Sequence, residues 1–223
     1  MRGQERGRRS YGQYCALAHA LDVVGERWTL LVVRELLLGP LRYTDLLDGL
    51  PGIGTNLLAR RLRDLAEAGI VERRVLPPPA AASGYALTRR GRALEPAIIE
   101  LGRFGGRLLP GPRQAPAVRS RWAVTGLKLT FRVDRARGVR ASYQLDLDNE
   151  AYRVRVDDGV LHAYQGEADQ RDLTIRSTAS ALLELLAGDI TARGGVADGT
   201  IAIRGAIGDL EQFVELFGWA RSA

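Results

Sequence analysis

Residues 55–68 combine apolar side chains at helical spacing with polar side chains that could recognise DNA. Leu58, Leu62 and Leu65 fall on one face of a predicted helix, which should pack inward. The remaining surface carries Asn56 and several arginines. An arginine guanidinium can donate two hydrogen bonds to guanine or bind a phosphate, and an asparagine amide can pair with adenine. A solvated surface helix has a similar composition, so this segment alone leaves both roles open.

Residues on either side of this segment extend the candidate DNA surface. Thr55 at the helix start could bind a phosphate beside the free backbone N–H groups of the first turn. Arg73 and Arg74 begin a predicted hairpin that would reach the flanking DNA backbone. The pattern therefore predicts seven DNA-binding residues: Thr55, Asn56, Arg60, Arg61, Arg63, Arg73 and Arg74.

Cysteine and histidine, which often carry catalysis or bind metals, are rare in this chain. Cys15 is the single cysteine, so it cannot form an internal disulfide, which is typical of a reducing cytoplasm. His19, in an apolar helical segment, and His162, in a predicted strand, lie outside any catalytic-triad or metal-binding motif. We therefore expect no enzymatic activity, no catalytic residue, no metal and no cofactor.

The elements that would position the DNA-binding side chains are helices followed by a hairpin. Apolar periodicity predicts helices over residues 14–25, 27–38, 43–50 and 55–68. A recognition helix follows another helix and a short turn. The arginine-bearing segment 55–68 has this position in the predicted order. Strands at 70–76 and 85–87 predict the hairpin. Thr88 is a plausible N-cap for a long helix to about residue 109.

The two halves of the chain differ in charge. Residues 1–119 carry 19 Arg and Lys against 11 Asp and Glu, whereas residues 120–223 carry 13 against 15. This asymmetry favours a polyanion partner for the first half, the alternative being a solubilising surface.

Residues 1–12 are predicted to be flexible, and the proline-rich segment 110–116 is predicted to be a linker. No apolar run reaches the roughly 20 residues of a membrane span, and we expect a cytoplasmic protein.

The second half has the alternating pattern of half-buried strands. Predicted strands lie around 143–147, 152–156, 160–164, 173–175 and 201–203. Helices are predicted at 180–187 and after residue 209. The pattern indicates an α+β domain over 117–223, in which helices cover an antiparallel meander sheet.

Several ordered motifs in the first half resemble those of a known family. They are the segments 15–28 (Cys-Ala-Leu through Asp-Val-Val-Gly-Glu-Arg-Trp), 39–46, 51–54 with 58–65, 69–73, and 85–88 with Gly91 and Leu94. Over these motifs, residues 14–108 are similar to the HxlR family of winged helix-turn-helix transcription regulators. The chain departs from the family pattern at Gly54 and Phe104, where serine and tryptophan are usual, and in the uncharged hairpin tip 77–82.

The HxlR resemblance implies a function and an assembly. It implies a DNA-binding domain over 13–109 and a homodimer that binds an inverted repeat in double-stranded DNA. The two recognition helices would enter major grooves roughly 34 Å apart. The first and last helices of the domain would provide the dimer contacts.

Residues 120–223 resemble the sterol carrier protein-2 fold. The resemblance rests on segments 152–159, 172–177, 182–188, 199–205 and 210–217, with a departure at Ala206 where aspartate is usual. That fold can enclose an apolar tunnel, and the helix with Phe213, Val214 and Phe217 could line it. The resemblance implies an apolar or aromatic small-molecule effector, although side chains at helical spacing also serve simply as core.

Two hypotheses for regulation follow from these resemblances. In the first, an apolar effector in the second domain modulates DNA binding. In the second, Cys15 senses oxidants or electrophiles, as the cysteine at this position does in part of the HxlR family, and the second domain serves dimerisation or partner binding. No basic residue lies at helical spacing to lower the pKa of Cys15, so a buried helical cysteine is the simpler expectation.

Overall fold

The chain forms two compact units in a computed structural model that describes residues 10–76, 82–109 and 118–219. The first unit is Met1–Ile98 and the second is Ile99–Ala223. The division falls within a helix, whereas the sequence places the domain boundary in the segment 110–116. That predicted linker and most of the predicted flexible N-terminus lie outside the described residues.

The first unit has the element order expected of a helix-turn-helix with a hairpin. Its elements are α1 (Ala16–Val24), α2 (Thr29–Leu36), α3 (Tyr43–Gly49), α4 (Thr55–Glu67), β1 (Val71–Val75), β2 (Ser83–Leu87), α5 (Arg89–Arg92) and the start of α6 (Glu95–Gly106). The helices of the predicted helix-turn-helix are confirmed to within two or three residues at each end.

The core of the first unit lies between α2 and α4. Leu58, Leu62 and Leu65 of α4 are almost fully buried, together with Val32 and Leu36 of α2. Burying a leucine side chain stabilises a fold by about 1.5–3 kcal/mol relative to leaving it exposed. The predicted inward face of α4 is therefore confirmed, and this packing determines which face of α4 remains in solvent.

Strand β2 begins two residues earlier than the sequence predicts. Gly84 lies just before the predicted strand 85–87, but it pairs with Arg74 across the hairpin. A Cβ atom at Gly84 would lie 2.8 Å from the carbonyl oxygen of Leu41 and 2.9 Å from the Leu76 side chain. The glycine thus permits a close backbone approach inside the strand and does not end it.

The predicted long helix after Thr88 is wrong, because two separate helices replace it. Thr88 is confirmed as an N-cap, since its Oγ1 accepts a hydrogen bond from the backbone N–H of Gly91 at 3.0 Å. Helix α5 nevertheless ends at Arg92, and α6 begins at Glu95. Pro96 then lies in the first turn of α6, where its missing N–H is tolerated, whereas inside a continuous helix it would break a hydrogen bond.

The second unit is a five-stranded sheet with helices. Its elements after α6 are α7 (Ser120–Thr130), β3 (Arg140–Leu147), β4 (Glu150–Asp157), β5 (Val160–Gln165), β6 (Leu173–Ser177), α8 (Ala179–Ala187), α9 (Ala192–Ala197), β7 (Ala202–Arg204) and α10 (Ile207–Phe217). The strand order is β5-β4-β3-β6-β7. The α+β class is confirmed.

The sheet is mixed, so the predicted antiparallel meander is only partly correct. Strands β3, β4 and β5 form a meander, but β6 pairs parallel to β3, with Leu145 opposite Ile175. The chain therefore crosses from β5 at one edge to the far side of β3. Alternation along a strand reports which face is buried and carries no information about which strand is its neighbour.

Helix α7 was not predicted because polar residues occupy part of its buried face. Arg121, Thr125 and Lys128 are less than a tenth exposed, beside the apolar Val124 and Leu127. Long cationic side chains can bury their aliphatic stems in this way, which hides the apolar periodicity in the sequence.

Within the described residues, no helix is long and apolar enough to cross a membrane.

Candidate nucleic-acid interface

Helix α4 presents most of the predicted DNA-binding side chains together on one exposed face. Thr55, Asn56, Arg60 and Arg63 are all exposed, while the leucines on the opposite face are buried. Gly54 is the N-cap and has no side chain to accept a hydrogen bond from the first turn. The N-terminal N–H groups can therefore face a phosphate, beside the Thr55 hydroxyl.

A hydrogen bond between helices holds the start of α4 in place. The Tyr43 hydroxyl on α3 donates to the backbone carbonyl of Thr55 at 2.7 Å. The first turn of α4, which carries Thr55 and Asn56, is thereby tied to the preceding helix. Tyr43 is not among the residues predicted for the site, because its hydroxyl reaches α4 only through the fold.

Arg61 lies apart from the other arginines of α4. Its side chain is about nine-tenths buried, and its guanidinium donates to Glu26 Oε2 at 2.8 Å, to Asp64 Oδ2 at 3.0 Å and to the Arg27 carbonyl at 3.2 Å. The bonds to Glu26 and Arg27 tie α4 to the loop between α1 and α2. The structure thus gives Arg61 an internal structural role, although the sequence predicts a DNA contact.

This placement predicts opposite phenotypes for two adjacent arginines. Arg61→Ala should lower the free energy of unfolding by about 1–3 kcal/mol, because three hydrogen bonds to charged or carbonyl groups are lost. Arg60→Ala, on the exposed face, should change it by less than about 0.5 kcal/mol. Urea unfolding followed by circular dichroism measures both values, and equal losses would contradict the assignment of Arg61.

The hairpin contributes two exposed arginines, Arg73 and Arg74, to the candidate DNA surface. Arg73 lies over the Tyr85 ring, with its guanidinium carbon 5.8 Å from the ring centroid. Arg74 contacts Glu72 at 3.5 Å, a surface ion pair that contributes little to stability and leaves the guanidinium accessible. Both arginines can therefore reach a DNA backbone, while residues 77–81 of the uncharged tip lie outside the described residues.

Further exposed arginines follow the hairpin, and the sequence reasoning missed them. Arg89, Arg90 and Arg92 are all exposed on α5. The signal was present in the sequence as three arginines in four residues. It was overlooked because this segment was interpreted only as the start of a long helix.

Cys15 is exposed, so the expectation of a buried helical cysteine is wrong. It is the N-cap of α1, which begins at Ala16, and the thiol therefore precedes the packed part of the helix. Hydrogen bonds from the backbone N–H groups of Ala18 and Leu17 lower the pKa of the Cys15 thiol. These donors belong to the backbone, so no side chain in the sequence indicates them.

The two histidines show no association with a metal-binding group. His19 and His162 are both exposed. Among the residues that the structure describes, no cluster of three or more His, Cys, Asp or Glu side chains could hold a metal ion.

The predicted ligand-binding residues of the second unit belong to an aromatic cluster. Phe213 and Phe217 are fully buried, with ring centroids 4.7 Å apart, and Tyr143 lies 5.0 Å from Phe213. Phe131 completes the cluster at 5.5 Å from Phe217, and Val214 is half-buried. Burial raises the pKa of the Tyr143 hydroxyl above its ordinary value, which favours the neutral form further.

Comparison with known proteins assigns the first unit to a family. Residues 23–111 match the HxlR-like helix-turn-helix family model. A helix-turn-helix transcriptional regulator of Synechocystis is 40% identical over 94 residues, which cover 42% of this chain and 70% of that protein. The chain belongs to the HxlR-like helix-turn-helix family of transcriptional regulators. The regulator YodB of Bacillus subtilis is 37% identical over 82 residues, covering 37% of this chain and 73% of YodB.

The second unit of this HxlR-like protein matches a different model from the one expected. Residues 130–222 match the alkyl sulfatase C-terminal family. The expected resemblance to sterol carrier protein-2 is thus not confirmed. Among solved structures, the inverting sec-alkylsulfatase Pisa1 from Pseudomonas matches with a TM-score of 0.41 and 18% identity, over 44% of this chain and 16% of that chain. The reduced form of YodB from Bacillus subtilis matches with a TM-score of 0.37 and 32% identity. The match covers 43% of this chain and 94% of the YodB chain.

Proposed function

We propose that this HxlR-like regulator binds a double-stranded operator as a homodimer in the cytoplasm, with α4 as the recognition helix. The observation that carries the proposal is the division of α4 into a buried leucine face and an exposed face with Asn56, Arg60 and Arg63. Side chains of these types, on a helix held rigidly from behind, can reach base edges in a major groove. The proposal includes no catalytic reaction.

The direct test is a DNA-binding titration at several salt concentrations with the full-length protein. The probe is a duplex from the promoter upstream of its own gene, compared with a scrambled duplex of equal length and composition. We expect tighter binding to the promoter duplex and an affinity that falls as salt rises. Equal, weak affinity for both duplexes would contradict sequence-specific regulation through this promoter.

Exposed apolar side chains support the homodimer. Leu17 on α1 and Leu101, Phe104 and Leu108 in or just after α6 are between 55% and 75% exposed. Leu101 and Phe104 lie one turn apart on α6, and Leu108 follows in the turn after the helix; we call these three residues the α6 stripe. Apolar stripes of this kind are typical of interfaces, and a second copy of the chain would cover them.

Charge inserted into the α6 stripe should therefore produce monomers. We expect Phe104→Glu with Leu108→Glu to shift the protein from dimer to monomer and to weaken operator binding, because each half-site would bind alone. Size-exclusion chromatography with light scattering measures the mass. Val133→Glu is the matched control, since Val133 is 52% exposed elsewhere in the second unit. A monomeric wild-type protein, or a dimeric double variant, would contradict the proposed interface.

The second unit is proposed to bind an apolar or aromatic small molecule and to have a sterol carrier protein-2-like fold. The mixed sheet with its helices and the aromatic side chains of α10 support this proposal. Because Phe213 and Phe217 are fully packed, a ligand would have to displace these rings on entry. A ligand alters DNA affinity only through its preference for one conformation, and couplings of about 1–3 kcal/mol are typical.

A hydrophobic ligand panel tests the effector site. Thermal shift assays on the full chain should identify compounds that raise the Tm, and the same compounds should change operator affinity. If no compound does either, the second unit is better explained as a dimerisation or partner-binding domain.

A second candidate function is redox or electrophile sensing through Cys15. Its exposure and lowered thiol pKa favour this function, since the thiolate is the reactive form. The relative YodB has been solved in a quinone-bound form. If Cys15→Ser abolished the response to an inducer while preserving operator affinity, this function would replace the small-molecule proposal.

The lowered pKa of Cys15 predicts a specific pH dependence. A lower pKa means that a larger share of the thiol is ionised at neutral pH than in an ordinary cysteine. The alkylation rate with iodoacetamide should therefore rise with pH and reach its half-maximum at a lower pH in the folded protein than in urea. Identical midpoints in the two states would show that the first turn of α1 does not stabilise the thiolate.

A further inference from the structure

We propose that Arg89, Arg90 and Arg92 form a second DNA-contact surface, which binds backbone phosphates outside the recognition helix. We call these residues the α5 arginine cluster. The inference rests on the proposed function, because it extends the DNA footprint of the same protein. It concerns a part of the fold that is separate from both α4 and the hairpin.

Helix α5 is held rigidly at the base of the hairpin. The Thr88 hydroxyl donates to the Gly69 carbonyl at 2.7 Å, and the Thr88 backbone N–H donates to the Ile70 carbonyl at 3.0 Å. Gly69 and Ile70 lie in the short connection between α4 and β1. The cluster therefore begins beside the C-terminal end of the recognition helix, to which these hydrogen bonds connect it.

The packing of Gly91 determines where the arginines point. A Cβ atom at Gly91 would lie 2.1 Å from the Ile70 carbonyl oxygen, so this side of α5 is pressed against the start of β1. Successive residues of a helix are rotated by about 100°. Arg90 and Arg92 therefore flank the packed side, and Arg89 lies almost opposite to it. All three side chains are exposed, as this arrangement requires.

The charge of the cluster is suited to a polyanion. Residues 88–94 contain three arginines and no acidic residue. Within the described part of the chain, none of the three forms an ion pair. The cluster contains no asparagine or glutamine, which pair with adenine, and its arginines can bind either guanine or phosphate. Arginines alone on a short helix fit phosphate oxygens, which position a protein on DNA without reading its sequence.

The cluster also continues the basic surface of the hairpin. Arg73 pairs with Tyr85, and β2 continues from there to Leu87, directly before Thr88. Three residues of strand span about 10 Å. Arg73, Arg74 and the cluster could thus bind different phosphates along one DNA backbone. The competing explanation is local: cations near the C-terminal end of α4 would interact favourably with its helix dipole.

The test compares salt dependence in the full-length protein. The cluster variant is Arg89→Gln, Arg90→Gln and Arg92→Gln, assayed with the promoter duplex and the scrambled duplex. The slope of log affinity against log salt should decrease by about 2.7, since each lost phosphate contact accounts for about 0.9. Both duplexes should bind roughly tenfold or more weakly at about 0.1 M salt, with an unchanged ratio between them.

A charge-matched control separates a local contact from a change in net charge. Arg135→Gln, Arg137→Gln and Arg204→Gln replace three exposed arginines of the second unit. This control should retain the wild-type slope. An equal loss in the control would overturn the inference, and so would an unchanged slope in the cluster variant.

The remaining outcomes distinguish the inference from its alternatives. A lower Tm with wild-type DNA binding would assign the cluster to the α4 dipole and overturn the phosphate role. A changed ratio between the two duplexes would show base reading and would likewise overturn it. If the wild type bound neither duplex, the proposed function would fail as well. If the wild type bound the promoter duplex specifically and the cluster variant retained the wild-type slope, the inference alone would fail.

Discussion

Replacing Asn56, Arg60 and Arg63 together with alanine is expected to abolish discrimination between operator and unrelated DNA. These side chains share the exposed face of α4, and none of them contributes to the leucine core behind it. Each base contact of this type contributes about 1–3 kcal/mol of discrimination. The combined loss should reach about 3 kcal/mol or more, which corresponds to over a hundredfold in relative affinity.

The measurement is the ratio of dissociation constants for the promoter and scrambled duplexes. Residual binding should persist, since the hairpin arginines still contact the backbone. Arg73→Ala is the matched control: it should weaken binding to both duplexes by a similar factor and keep their ratio. Unchanged operator affinity in the triple variant would mean that another surface contacts the DNA.

Phe213→Ala is expected to cause the largest loss of stability among the substitutions considered. The Phe213 side chain is fully buried, and its ring packs between Tyr143 and Phe217. Truncating a buried phenylalanine to alanine costs about 3–5 kcal/mol, from lost apolar burial and from the cavity that remains. A typical domain has only about 5–15 kcal/mol of stability, so the second unit should be close to unfolding.

Calorimetry of the full chain measures this effect, because the two units can unfold in separate transitions. The transition of the second unit should shift to a much lower temperature, while that of the first unit stays unchanged. Val214→Ala, at the neighbouring half-buried position, should have a much smaller effect. Equal shifts for the two variants would contradict the packed aromatic cluster. Partial recovery of the Phe213→Ala transition by an added aromatic compound would instead support ligand binding at this position.

Local sequence patterns were reliable wherever one short segment contained the whole signal. The leucine spacing of α4 predicted both its helical structure and its buried face, and Thr88 was recognised as an N-cap. The alternation in β3 and β4 predicted their buried faces in the same way. In each case the relevant neighbours are a few residues away along the chain, so the amino-acid order carries the information directly.

Features that depend on distant neighbours could not be predicted. The parallel pairing of β6 with β3 and the strand role of Gly84 both follow from close approaches between separate segments. Helix α7 remained hidden because its cationic residues are buried by the rest of the second unit. The energy of such contacts depends on which segments meet in the fold. The local propensity of one segment does not indicate which other segment it will contact.

In the candidate DNA surface, adjacent arginines differ in whether the sequence or the tertiary structure determines their role. The sequence by itself determined that a leucine-backed helix carries Asn56, Arg60, Arg61 and Arg63, because helical periodicity separates the two faces. Only the tertiary structure decided that Arg61 binds the loop before α2 whereas Arg60 and Arg63 remain in solvent. The reason is that a guanidinium is equally suited to a carboxylate, a carbonyl or a phosphate. The partner it binds is determined by the groups that the fold places within reach.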